Sequence, residues 1–223
     1  IHFYPTNKIR IPVDKNNIIK NKVVDPKYND SIVSYIDIDI KGNALYKNRL
    51  MMLDLIANNN WKRPVYFSPG AFEDEDYLWM KNYLQLEGMI YKLVTIKTKV
   101  DKDTNPMDMG GLDADKMYSI VMKWDWGNSR GDIYHDPETR KNSISYRSVL
   151  SRLMDKLIAE GKLDKAKKVI ELSLTEMPVE KFGYYSMVEP FARGYYEVGE
   201  KEKAQQLLEK LIGKYKENLN YYG

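Results

Sequence analysis

Two stretches of the chain gather residue types that can do chemistry. KWDWGNSRGDIYHDPETR, residues 123–140, contains Trp124, Asp125, Trp126, Arg130, His135 and Asp136. A histidine beside a carboxylate can bind a metal or move a proton. Two tryptophans flanking a carboxylate can form a platform for a sugar ring. NNNWKRPVYF, residues 58–67, offers Arg63 with Lys62 as an anion cradle and Trp61 as a stacking surface.

Structural roles compete with both. A metal site needs three or four ligands, and His2 is the only other histidine. Asp136-Pro137-Glu138 is a strong helix start, with Asp136 capping and Pro137 at the first helical position. In that reading WDWG packs as a joint between a mixed α/β part and a helical part. Asn59 and Asn60 likewise read as a turn, with Trp61 packed over it and Pro64 opening a strand. The structural reading is preferred for both stretches. Trp61, Arg63, Trp124, Asp125, Trp126, Arg130, His135 and Asp136 stand as candidate binding residues. No catalytic residue, metal ligand or cofactor is assigned.

Other motifs carry less. EDEDYLW, from Glu73, lacks the alternating ligands and the glycine of a calcium loop and suits the solvated first turn of a helix. No glycine-rich phosphate loop or GxSxG is present. Met51-Met52 reads as core filler. Asp30-Ser31-Ile32 resembles a short bacterial O-glycosylation acceptor, and equally the turn before a strand.

Composition narrows the classes. Among 223 residues, 35 Lys and Arg stand against 32 Asp and Glu, and no basic stripe forms, so nucleic acid is not an expected partner. Cysteine is absent, which removes disulfides, thiolate metal sites and a cysteine nucleophile. No stretch approaches the roughly 18 to 20 apolar residues that span a bilayer. IHFYPTNKIRIPVDK has no starting methionine and reads as the interior of a longer chain that runs to its natural C-terminus.

The elements that must position these residues follow from periodicity. Residues 1–24 read as irregular, broken by Pro5 and Pro12. SIVSYIDIDI, residues 31–40, alternates as a half-buried strand ended by Gly42 and Asn43. Residues 46–58 read as a helix with a stripe of Leu45, Arg49, Met52 and Ile56. PVYF is a brief strand, residues 73–88 a helix ended by Gly88, and MIYKLVTIKTK a strand. Alternating strands and helices predict parallel pairing. Residues 100–113 form a loop, and ADKMYSIVMKW a short helix.

From Ser145 four amphipathic segments follow. GKLDKA at Gly161 and GEKEKA at Gly199 recur at an offset of 38 residues, placing Leu157 on Tyr195 and Ile170 on Leu208. Glycine ends one helix, a short turn begins the next, and alanine lets the pair approach. That is tetratricopeptide (TPR) logic, whose usual period is roughly 34 residues. The predicted fold class is α+β or α/β, with a small mixed sheet and flanking helices followed by TPR-like antiparallel helical hairpins. The predicted division is an α/β domain over 1–112, a connecting helix and polar loop over 113–144, and the repeat region over 145–223.

FYPTNKIRIPVDK, LYKNRLMMLDLIANNNWKRPVYFSPG, YLWMKNYLQLEGMIYKLV, VMKWDWGN, IYHDPETRKNS and GYYSMVEPFARGYYEVGEKEKA, in that order, resemble the C-terminal soluble part of a membrane-protein family. That family is typical of Bacteroidetes, was formerly of unknown function, and is grouped with protein O-mannosyltransferase-like enzymes of the GT-C type. The resemblance implies a lipid-linked sugar donor and a catalytic centre in a transmembrane part that precedes this segment. It implies that this segment lies on the periplasmic side, tethered through that part. No catalytic residue carries over. The expectation is a non-catalytic accessory module that binds acceptor protein or peptide, the parent's own transmembrane domain, or glycan. The competing expectation is a freestanding carbohydrate-active or other enzyme with a site near Trp124–Asp136.

Overall fold

The computed structural model describes residues 6–40, 45–68, 76–98 and 109–222. The chain forms two compact units, Ile1–Asp113 and Ala114–Gly223. Among the described residues no helix is long and apolar enough to cross a membrane.

The first unit opens with order where the prolines predict none. β1, Lys8–Pro12, pairs antiparallel with β2, Tyr35–Asp39, with Ile9 opposite Ile38 and Ile11 opposite Ile36. Pro12 fits because it is the last residue of β1, where a missing N–H costs no interior ladder bond. The alternation read from residues 31–40 is borne out: Ile36 and Ile38 are buried while Asp37 faces outward to the Arg10 guanidinium at 2.7 Å. α1, Lys15–Lys20, is capped by Asp14, whose carboxylate accepts from the N–H groups of Asn16 and Asn17. α2, Lys47–Asn58, follows the predicted bounds closely and buries Leu53 and Ile56. The predicted strand terminators Gly42 and Asn43, the acids Glu73 to Glu75 and most of the 100–113 loop lie outside the described residues.

The second sheet corrects two expectations. β3, Tyr66–Phe67, β4, Leu84–Glu87, and β5, Ile90–Leu93, lie in the order β3-β5-β4, and both pairings are antiparallel rather than parallel. The helix expected over residues 73–88 is a 3-10 helix over Asp76–Tyr83 that gives way to β4. The apolar and polar residues of Leu84–Glu87 alternate with period two, and the local hairpin with β5 satisfies their backbone directly. Gly88, with φ of 67°, turns that hairpin instead of ending a helix. Gly111 covers the outer edge of β4: its N–H donates to Leu84 O at 2.7 Å and its carbonyl accepts from Leu86 N–H at 2.9 Å.

The second unit is helical. α3 spans Ala114–Val121, α4 Pro137–Ala159, α5 Leu163–Glu176, α6 Val179–Phe182, α7 Glu189–Glu197 and α8 Lys201–Tyr222. The helical hairpins stand as predicted: α4 packs on α5 and α7 on α8. Their corners match in detail. Gly161 and Gly199 have φ of 71° and 87°. In each corner the residue after the glycine closes back four residues before it, Lys162 N–H to Leu157 O and Glu200 N–H to Tyr195 O, both at 2.8 Å. Ala166 and Ala204, the small residues of the motif, have no exposed surface.

The hairpins meet at a position the sequence does not advertise. A Cβ on Gly194 of α7 would lie 2.2 Å from Met154 Sδ of α4 and 3.1 Å from Ile170 Cδ1 of α5. The connector between hairpins is held from the other side by Arg147 of α4, which has no exposed surface. Its Nη1 donates to Gly183 O at 2.6 Å and Tyr184 O at 3.3 Å, and its Nη2 to Met177 O at 2.8 Å. Burial pulls the guanidinium pKa down to about 10, so it remains charged at neutral pH.

Arg147→Met leaves those carbonyls unsatisfied and is expected to lower unfolding free energy by at least about 3 kcal/mol in urea titrations. Gly194→Val is expected to cost about 1 to 3 kcal/mol through overpacking, and Met154→Ala in the same chain to recover part of it. Asp115 of α3 accepts from Lys162 and Lys165 of the α5 region, both at 2.7 Å, and these partners hold its pKa at about 2 against an ordinary 3.8. Its contribution is therefore complete above about pH 4 and lost as pH falls through 2. The drop in urea midpoint between those pH values is expected to be smaller in Asp115→Asn.

Candidate functional site

The segment from Trp124 to Asp136 joins α3 to α4, and the structure puts its side chains to work on neighbouring helices. Trp124 and Trp126 are half-buried and meet edge to face at 5.6 Å between ring centroids. Both pack against Tyr146 of α4, at 5.4 and 5.5 Å. All three rings of this cluster are half-buried. Asp125, between the tryptophans, turns the chain by accepting from the Gly127 N–H at 2.8 Å. Trp126 Nε1 is buried with no hydrogen-bond partner among the described residues.

Further along, the segment docks on the end of α5 and on α6. Arg130 approaches Glu176 at 3.7 Å, and Ser129 Oγ donates to the same carboxylate at 3.3 Å. Lys181 of α6 donates to the carbonyls of Arg130, at 3.1 Å, and Gly131. His135 is buried against Phe182, ring centroids 4.5 Å apart, and its Nε2–H donates to Ser129 O at 2.7 Å. That carbonyl can only accept, which places the neutral ring's proton on Nε2 and leaves Nδ1 as the acceptor.

Asp136 is the N-cap of α4 with Pro137 at the first position, as predicted: Oδ1 accepts from the N–H groups of Glu138 and Thr139, and Oδ2 from the Thr139 hydroxyl at 2.5 Å. The Thr139 hydroxyl and then its N–H hold the Asp136 carboxyl below the usual carboxylate range. His135 and Asp136, adjacent in sequence, thus serve different partners.

Trp61 and Arg63 lie in the other unit. Trp61 is buried, with Asn60 and Trp61 both at positive φ, 49° and 57°. Its Nε1–H reaches Pro12 O at 3.5 Å, and its carbonyl accepts from Asn21 Nδ2 at 3.0 Å. The Asn59 side chain accepts from Arg63 N–H at 3.2 Å and donates to Arg63 O at 2.7 Å. Of the three amides, Asn59 holds the turn, Asn58 donates back to Asp54 within α2 and Asn60 accepts from Asn17, while the Arg63 side chain is exposed.

Two features escape the motif search. One is a cleft of about 450 Å³ lined by Asp132, Ile133, Tyr134, His135, Arg140 and Lys181. Arg140 and Lys181 belong to separate helices, so linear spacing could not join them. The other is a polar face on the β3-β5-β4 sheet. Gln85, Glu87 and Lys92 are buried there. Tyr66 OH donates to Glu87 Oε2 at 3.1 Å, and Lys92 Nζ lies 3.9 Å from Glu87 Oε1. Burial, with Glu87 adding to it, pushes the Tyr66 hydroxyl up to about 12. Gln85 and Glu87 alternating with Leu84 and Leu86 was the legible signal, and a helix reading conceals it.

A family model described as TMEM260-associated domain 2 matches residues 1–116. The chain belongs to that family. The match covers the first unit and the start of α3, so Trp61, Arg63 and the buried polar face lie inside the TMEM260-associated domain, while Trp124–Asp136 and the cleft lie beyond it. No curated protein and no solved structure matches the chain.

Tyr146→Leu is expected to lower unfolding free energy by about 1 to 3 kcal/mol, since two aromatic pairs depend on that ring. The same change should shift tryptophan emission to the red as Trp124 and Trp126 gain water.

Proposed function

We propose that the chain is a non-catalytic accessory module of a membrane-embedded, protein O-mannosyltransferase-like glycosyltransferase. It lies on the periplasmic side, tethered through a preceding transmembrane part, and holds acceptor protein or that membrane part. The family match over residues 1–116 carries the reading, because TMEM260 is itself a protein O-mannosyltransferase-like protein. The resemblance of the sequence blocks, from FYPTNKIRIPVDK onward, supports the same parentage. The local chemistry supports a holding role over a reacting one. Asp125 and Asp136 serve a turn and a cap, Arg130 meets Glu176, and His135 is committed to Ser129. Stacked helical hairpins supply a surface suited to an extended partner.

Co-expression with the parent's membrane part is the direct test. The chain is expected to co-purify with it in detergent, and the chain alone is expected to transfer no sugar from a polyprenyl-phosphate mannose donor to peptide. Transfer by the isolated chain would replace this reading with the freestanding enzyme.

A further inference from the structure

Arg140 stands on the first turns of α4 with its side chain half-buried and lining the 450 Å³ cleft. Its Nε has almost no accessible surface and no hydrogen-bond partner among the described residues. A ligand in the cleft can therefore reach only the terminal guanidinium nitrogens, which make no hydrogen bond or ion pair to any described residue. The carboxylates that could meet them are already engaged. Asp136 spends its oxygens on the cap of α4. Glu138 lies 3.9 Å from Lys141. Glu176 holds Ser129 and Arg130. Asp132 lies 3.6 Å from Lys181 and is fully exposed.

Lys181 shares the wall, with its amine anchored on the carbonyls of Arg130 and Gly131 and its charge offset by Asp132, which leaves Arg140, among the described residues of the lining, as the cation open to a ligand. Tyr134, 84% exposed, offers a ring as another part of the lining. Ligand clefts usually run from about 300 to 1,000 Å³, so this one suits a group near the size of a single sugar or amino-acid residue.

We infer that this cleft is an oxyanion site, in which the terminal guanidinium nitrogens of Arg140 grip a carboxylate or phosphate group. The planar guanidinium presents paired donors that match either oxyanion. The site lies in the second unit and does not depend on the membrane-enzyme reading.

The test uses the whole 223-residue chain, observed by proton–nitrogen magnetic resonance in a buffer free of phosphate and carboxylates. Inorganic phosphate, N-acetylaspartate and uncharged glucose are titrated separately. Saturable movement of the Arg140 Nε–H signal is expected with an oxyanion, at a Kd of about 1 mM, and none with glucose. A response to phosphate alone assigns a phosphate-bearing ligand, and a response to N-acetylaspartate alone assigns a carboxylate. Arg140→Gln is expected to weaken binding at least about tenfold, or 1.4 kcal/mol. No saturable movement with either anion, equal movement with glucose, or unchanged affinity in the variant would overturn the inference. The Nε–H signal is read on the native chain, so it decides the matter even where the variant does not fold.

Discussion

A guanidinium with no exposed surface and only backbone carbonyls for partners is an unusual anchor. Arg147 makes this arrangement in the middle of α4. Desolvating an arginine costs several kcal/mol, and the cost is offset only when its donors are met in good geometry. Met177, Gly183 and Tyr184 meet the two terminal nitrogens, while Nε is buried without a partner among the described residues. These carbonyls are available because the chain leaves α5, forms α6 and turns back, with Gly183 and Tyr184 both at positive φ. The carbonyls of that connector have no helix to satisfy them, and Arg147 fills the same need from its side. The position of α6 follows, and with it the position of all that rests on α6.

What rests there is the Trp124–Asp136 segment. Lys181 and Phe182 of α6 hold Arg130, Gly131 and His135, while Tyr146 of α4 holds the two tryptophans. The segment is polar in composition yet fixed at both ends by α4 and α6. The richest collection of reactive residue types in the chain thus becomes the fastening of a helical unit. One cation near it, Arg140, is left over.

The helical unit was largely legible because its signals are local. Gly161 and Gly199 with their following lysines and alanines specify a corner within a few residues, and Asp136-Pro137 specifies a start. The first sheet was half legible: the Ile-Asp alternation marks β2, while Pro12 hides β1 by closing it. The second sheet misled. Tyr83 to Glu87 carries helix-forming residues, and Gly88 serves a helix end and a hairpin turn equally well, so hairpin pairing with β5 decided between them. Most partners of the candidate residues lie far off in sequence: Tyr146 of α4 for Trp124 and Trp126, Glu176 of α5 for Arg130, Phe182 of α6 for His135, and Pro12 and Asn21 for Trp61. Arg140 with Lys181, and Tyr66 with Gln85, Glu87 and Lys92, are brought together by folding alone.

The seam at Gly194 governs how the helical unit comes apart. In stacked repeats, overall behaviour depends on how strongly each hairpin is coupled to its neighbour relative to its own stability. Met154 and Ile170 of the first hairpin fill the space above a residue with no side chain in the second, so neither hairpin can leave without opening a void in the other. Such coupling favours a single concerted melting event over stepwise fraying from the C-terminal end.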